Sequence, residues 1–221
     1  MSRGMDTATQ CFKIVMINLE FAPTTDKLIR TALKEELGKT HKEDPEARII
    51  EEMGITHGAA RVDVAVVNGS IHGYELKSDL DTLRRLPDQM EIYNSVLDQV
   101  TLVVGKQHLH EAINAVPDWW GITIAKVAVL GGVVSFCHIR ESGNNPHQDS
   151  AAIASLLWRD EALELLKEAG HAEGVRSKPR KVLYERLAEV MDQTTLRAKV
   201  RERLSARTTW RLGTLCMQGG D

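Results

Sequence analysis

The chain contains no run of 18 apolar residues, so no segment is long enough to cross a bilayer as a helix. Its first ten residues lack an apolar stretch of the kind a secretory signal carries, and none is expected. Cysteine is scarce. Cys11, Cys137 and Cys216 are odd in number and far apart, which fits reduced thiols in a cytoplasmic protein better than a disulfide framework or a zinc site. There is no Gly-X-Y period, internal repeat or low-complexity tract, and a hydrophobic content of 43% excludes disorder. No phosphate-loop lysine follows Gly131-Gly132, so that pair reads as a turn. No cysteine or further histidine stands near the His108-x-His110 pair to complete a zinc set. What remains is an ordinary globular chain of 221 residues, large enough to bury roughly 70% of its unfolded surface.

Net charge is small, at −3, but unevenly spread. From His171 to Arg211 there are eleven Lys and Arg against five Asp and Glu, so an acidic body carries a basic end. Arg176, Lys178, Arg180 and Lys181 cluster beside expected helix ends. Such a patch can bind a phosphate backbone, although no groove-reading motif accompanies it.

Hydrophobic spacing predicts a helix over Thr25–Leu37, stopped by Gly38, and a Val-rich strand over 61–67. Asn68-Gly69 then signals a hairpin with a returning strand over 71–77. The segment 49–55 is apolar and acidic, without a clear period. A helix is expected over Asp81–Leu97, with Pro87 in its first turn or marking a break. Further expectations are a strand at 100–104, a helix at 111–116, and strands at 121–129 and 133–139. Helices follow over 151–169, 181–191 and 196–207. This order predicts a mixed α/β core over 1–146 and a basic helical region over 147–221, divided at the Asn144-Asn145-Pro146 loop.

Chemistry concentrates between residues 49 and 93. Asp63 lies inside the apolar run RVDVAVV, where a carboxylate is costly unless paired or bound to a cation. Glu75 and Lys77, two apart on the returning strand, share a face, so the hairpin brings Asp63, Glu75 and Lys77 together. Two hard carboxylates suit Mg²⁺ or Mn²⁺, and Glu51 or Glu52 is a candidate third acid. Gln89 and Tyr93, at i and i+4, can bond a phosphate or hold Lys77. His72 has the wrong parity for the Lys77 face and reads as structural, as do Trp119 and Trp120. Asp79, Arg84 and Arg85 read as a surface network.

The pattern of a glutamate, Asp63, Glu75-x-Lys77 and Gln89-x-x-x-Tyr93 resembles the PD-(D/E)XK nuclease superfamily, in particular its RecB-like branch, over about forty residues. Most of the chain, with HGYELKSDLDTLRRLPDQ, VTLVVG and Trp119-Trp120-Gly121, is also similar to a family of uncharacterised bacterial proteins. The superfamily resemblance implies a restriction-endonuclease-like core and a metal-dependent nuclease. It makes Asp63, Glu75 and the Leu76 carbonyl ligands of Mg²⁺ or Mn²⁺, Lys77 the catalytic lysine, and Glu52 (or Glu51) the helix-borne acid. Gln89 and Tyr93 become the downstream motif that positions the phosphate or the lysine. Val62 stands where the superfamily often has proline. The expected partner is nucleic acid, DNA before RNA, and not a membrane. A homodimer or partner protein stays open. The alternative is a non-catalytic nucleic-acid-binding or regulatory module that keeps the fold.

Overall fold

The structure, a computed structural model, describes residues 21–129 and 132–207. The expectations for the N-terminal twenty residues, for Cys11 and Cys216, and for the basic region beyond Arg207 fall outside them.

The described residues form a seven-stranded mixed sheet with helices on both faces and a C-terminal helical part, a mixed α/β fold. In chain order the elements are β1 (Phe21–Ala22), α1 (Asp26–Thr40), β2 (Arg48–Ile55), β3 (Ala60–Val67), β4 (Ile71–Lys77), α2 (Leu86–Val96), β5 (Gln99–Gly105), α3 (Leu109–Ala115), β6 (Gly121–Ala128), β7 (Val134–Arg140), α4 (Ser150–Ala154), α5 (Arg159–Glu168), α6 (Arg180–Val190) and α7 (Gln193–Ala206). The sheet order is β2, β3, β4, β5, β6, with β1 and β7 both on β6. β4, β5 and β6 are parallel, and the remaining pairs are antiparallel.

Asn68 and Gly69, the latter at φ +75°, turn β3 directly into β4, so their strands pair without a crossover. The parallel steps from β4 to β5 and from β5 to β6 each need a crossover, which α2 and α3 supply. Both steps advance the same way across the sheet, so right-handed crossovers put α2 and α3 on one face. Their buried residues Leu86, Tyr93, Val96 and Ala112 join the larger core cluster there. Among the described helices only α1 packs on the other face, through Ile29, Leu33 and Leu37 against Val64, Val66, Leu76 and Val103.

Four sequence expectations change. α1 runs through Gly38 to Thr40, because neither its last turn nor a clash requires a left-handed residue there. The uncertain segment 49–55 is a strand, β2, held by its pairing with β3 on either side of Glu52. The helix expected over 151–169 is two, α4 and α5, because Glu161 Oε2 accepts the Trp158 amide at 2.7 Å and starts a new helix. In addition the second helix begins at Leu86 rather than Asp81, with Pro87 in its first turn, as a proline requires.

Helices α4 to α7 lie on the α2 face and share its core. Ile153, Leu157, Leu165, Leu183, Leu187, Leu196 and Val200 belong to the same cluster as Val62, Leu102 and Trp120. Asp98, 4% exposed at the foot of β5, accepts the Ile71 amide at 2.7 Å and pairs with Arg197 and Arg201 of α7. Asn145, in the expected boundary loop, donates to the Asn94 and Leu97 carbonyls at the end of α2. No helix among the described residues is long and apolar enough to cross a membrane.

Candidate active site

Alternation along β2 and β3 is not uniform, and the place where it fails is the site. On β3, Ala65 and Val67 face the larger core and Val64 and Val66 face α1; before Asp63 the phase inverts, and Val62 faces the larger core. On β2, Ile50 faces the larger core, yet so do Met53 and Ile55. Between them Glu52 takes φ +52°, a conformation that costs a residue with a Cβ on the order of 1–2 kcal/mol. The pairs Glu51–Val64 and Met53–Val62 place Glu52 opposite Asp63. Both strands therefore switch phase at one rung, and that rung carries two carboxylates. Non-glycine strain of this kind is characteristic of functional sites.

The β3–β4 ladder ends just beyond Val64–Tyr74. The next free amide on β4, that of Leu76, donates instead to Asp63 Oδ2 at 2.8 Å. The strands splay around the Asp63 side chain, and the gap opens into a cleft of about 830 Å³. Glu52, Asp63, Glu75, Lys77 and Gln89 line it, with Arg61, Arg85 and the 70%-exposed Leu80 at its margins.

On the floor, Glu75 is 1% and Lys77 4% exposed. Lys77 Nζ donates to Glu75 Oε1 at 2.6 Å and to Gln89 Oε1 at 3.0 Å, while Gln89 Nε2 donates to Glu75 Oε1 at 2.7 Å. The Tyr93 hydroxyl lies 2.7 Å from both Glu75 Oε2 and the Arg61 carbonyl. One turn of α2 thus sets Gln89 on the lysine and Tyr93 on the glutamate, which is why i and i+4 spacing matters here. Burial, then the negative charge of Asp63, push the Glu75 carboxyl above its ordinary range; Lys77 and Tyr93 only partly offset them. Burial and Glu75 likewise hold the Tyr93 phenol protonated far above its usual range.

The structure also brings in a residue that the sequence reading missed, Arg30 of α1. Its guanidinium holds Asp26 bidentately, at 3.1 and 3.0 Å. It reaches Asp63 Oδ1 at 2.8 Å, the Asp63 carbonyl at 2.7 Å and Glu52 Oε1 at 2.9 Å. Burial opposes its charge, but the bonds to Asp26 and Asp63 outweigh burial and raise its pKa. The local half of this signal, Asp26 and Arg30 at i and i+4, is visible in sequence; the partnership with Asp63, 33 residues away, is not.

Asp63, Glu75, Lys77, Gln89 and Tyr93 therefore meet in one place. Of the two candidate third acids, Glu52 stands on the Asp63 rung and Glu51 points away to pair with Lys34. Glu52 lies on a strand, not on the helix that the resemblance implied. Its carboxylate serves Arg30 and, at 3.6 Å, Arg61. Arg176, Lys178, Arg180 and Lys181 are exposed at the start of α6 and the loop before it, and none lines the cleft. His72 does face away from Lys77: its Nε2 lies 2.8 Å from Thr101 Oγ1, on the α1 side. Trp120 is fully buried, its indole N–H donating to Asn94 Oδ1 at 2.9 Å. Asp79, read as part of a surface network, is a knot instead, accepting from the Thr24 amide and hydroxyl and the Gln107 amide at 2.8–3.0 Å.

The carboxylates of the cleft are oxygen donors of the kind a hard divalent cation takes. Asp63 and Glu52 already converge on a positive charge, that of Arg30, and all the acids are oxygen donors. Among the described residues no three His, Cys, Asp or Glu side chains converge on a single point. One or two carboxylates with several waters is the coordination that Mg²⁺ ordinarily accepts.

Of solved structures, the SPO1766 protein of unknown function from Silicibacter pomeroyi is similar over 70% of this chain and all of its own, at 17% identity and a TM-score of 0.39, below the level at which a shared fold can be argued. Protein cII of Enterobacteria phage P4 is 36% identical over 77 residues, which are 35% of this chain. The chain spans 29% of that relative's length. The profile of the bacteriophage P4 protein cII family matches residues 23–211, from the strand-to-helix turn before α1 to beyond the end of α7, and the chain belongs to that family.

Proposed function

We propose that the cleft hydrolyses phosphodiester bonds of nucleic acid, DNA before RNA, with Mg²⁺ or Mn²⁺, as in the PD-(D/E)XK nucleases that its residues resemble. The name cII states no reaction, so the proposal rests on the cleft. One observation carries it: a lysine ammonium and a carboxylate 2.6 Å apart, almost out of water, on the wall of an open cleft that a second carboxylate also lines. Burying such a pair costs several kcal/mol per ion, and a fold that needed only stability would gain as much from apolar residues. Perturbed carboxyls in a cleft are candidates for chemistry on that ground.

Asp63 and Glu75, with the Leu76 carbonyl by resemblance, would hold the divalent ion. Once bound, the ion supplies an activated water and neutralises charge on the scissile phosphate. Lys77 Nζ, aimed by Gln89, would donate a hydrogen bond to a phosphate oxygen or orient the attacking water. Tyr93 fixes Glu75, and Arg61 and Arg85 at the margins draw phosphate in. The exposed group Arg176, Lys178, Arg180 and Lys181 would serve backbone contact away from the cleft.

A second reading has its own support. Both oxygens of Asp63 and of Glu75 are already bonded within the protein, which suits a binding module that has no turnover. The full chain incubated with single- and double-stranded DNA and RNA, in Mg²⁺ or Mn²⁺, separates the two. Cleavage is expected, abolished by chelator and reduced at least 100-fold in Lys77→Met and Glu75→Gln variants whose melting shows them folded, an effect of about 3 kcal/mol on the barrier. Retained binding without cleavage on any substrate, or Lys77→Met equal to the wild type, overturns the nuclease reading.

A further inference from the structure

The nuclease reading leaves open how many ions the cleft holds, and Arg30 bears on that. Its side chain is not a surface arm that has found an acid. It is 17% exposed, its two ends are clamped by Asp26 on its own helix and by the Asp63 carbonyl on β3, and its amidinium edge faces Asp63 and Glu52 at once. Planar, delocalised and always charged, a guanidinium in this position does electrostatically what a cation between two carboxylates does. The neighbouring carboxylate, Glu75, has a different cation, Lys77.

We propose that Arg30 is a positioning residue that takes the place of a second divalent ion between Glu52 and Asp63, so that the cleft loads one ion, between Asp63 and Glu75. The proposal rests on the nuclease reading and deepens it. Charge supports it. Asp26, Glu52, Asp63 and Glu75 face Arg30, Lys77 and Arg61, a residual of −1 that one divalent ion more than neutralises, so a second would add only repulsion. Geometry supports it too. Arg30 takes Glu52 Oε1 at 2.9 Å and Asp63 Oδ1 at 2.8 Å, whereas each carboxylate oxygen has two lone-pair sites and Asp63 Oδ2 uses one, on the Leu76 amide. Asp63 therefore retains capacity toward Glu75, and Glu52 is spent on Arg30 and Arg61. The phase switch at Glu52 and Asp63, with its positive φ, aims Glu52 at the guanidinium; this is the use to which that strain is put.

The test is calorimetric titration of Mn²⁺ alone into the full-length protein, without substrate, paired with electron paramagnetic resonance. Wild type is expected to bind one Mn²⁺ per chain and to show no spin-coupled pair. Arg30→Gln, which removes the charge and keeps a hydrogen-bond donor, is expected to bind two and to show coupling. Arg30→Lys, which restores the charge, is expected to return to one. A merely structural role for Arg30 predicts one ion in all three, and that result overturns the proposal, as does a coupled pair in wild type. The wild-type spectrum needs no variant to fold. Absence of binding in every form overturns both this proposal and the metal-dependent reading, whereas one ion in wild type and in Arg30→Gln removes this proposal and leaves the nuclease reading standing.

Discussion

At the residue scale, His72 and Tyr74 of β4 and Tyr93 of α2 show how position decides chemistry. Tyr93 and His72 sit on opposite faces of neighbouring elements. Tyr93 is committed to Glu75, but His72 is packed among neutral partners: Thr101 at 2.8 Å, Tyr74 at 3.2 Å and Ser142 at 3.4 Å. Burial, reinforced by the nearby His41, lowers its pKa from 6.5 to about 4, and burial raises the Tyr74 phenol to about 12. A histidine whose folded pKa lies below its unfolded one stabilises the fold fully above pH 6.5. That contribution is lost as pH falls toward 4, where the unfolded chain takes up a proton that the folded chain refuses. The full loss amounts to about 3 kcal/mol. Urea unfolding followed from pH 7 to pH 4 is expected to show this acid limb in the wild type and a markedly flatter one in His72→Gln, which keeps a polar partner for Thr101 but does not titrate in this range. An equally steep limb in the variant would assign the acid sensitivity elsewhere.

At the scale of elements, the hairpin β3–β4 was legible almost to the residue, because Asn68-Gly69 fixes the register and a two-residue period fixes the faces. From it followed the meeting of Asp63, Glu75 and Lys77, and α2 added Gln89 and Tyr93 through its own period. Two things were not legible. β2 has no clean alternation because Glu52 inverts it midway, so a period count returns nothing where the strand is in fact regular on either side. Arg30 joins the site only because α1 crosses β3 and β4 on the far face, a fact of tertiary packing. The turn that follows β2 stores strain as well. Thr56, exposed and β-branched, has φ +48°, a conformation that costs an L-residue about 1–2 kcal/mol. Thr56→Gly removes that cost and adds about 0.5–1 kcal/mol of unfolded-state entropy, so a net stabilisation of up to about 1 kcal/mol is expected in chemical denaturation. A loss of stability instead would mean that the threonine side chain contributes something its backbone does not reveal.

At the scale of the whole molecule, the charge asymmetry and the division at residue 146 take on different meanings. Much of the basic end is spent internally: Arg197 and Arg201 on Asp98, Arg203 on Glu164 and Glu168, and Arg207 on Glu161. These pairs, with the shared apolar cluster, fasten α5 and α7 to one another and α7 to the foot of the sheet, so the basic helices act as the lid of the core before they act on any ligand. Arg176, Lys178, Arg180 and Lys181 remain exposed at the start of α6 and in the loop before it. Residues 147–207 add a further side to the cluster that contains Val62, Leu102, Trp120 and Tyr93, and without them the part of that face that α2 and α3 leave open meets water. Each large apolar side chain so exposed forfeits about 1.5–3 kcal/mol, so a handful of them is comparable with the 5–15 kcal/mol by which a domain of ordinary stability survives. A chain ending at Pro146 is therefore expected to lack a cooperative transition and near-ultraviolet dichroism, while the full chain unfolds in one step with near- and far-ultraviolet signals coincident. A fragment that melts cooperatively with native-like dichroism would instead make residues 1–146 a domain in their own right and the helical end a separable attachment.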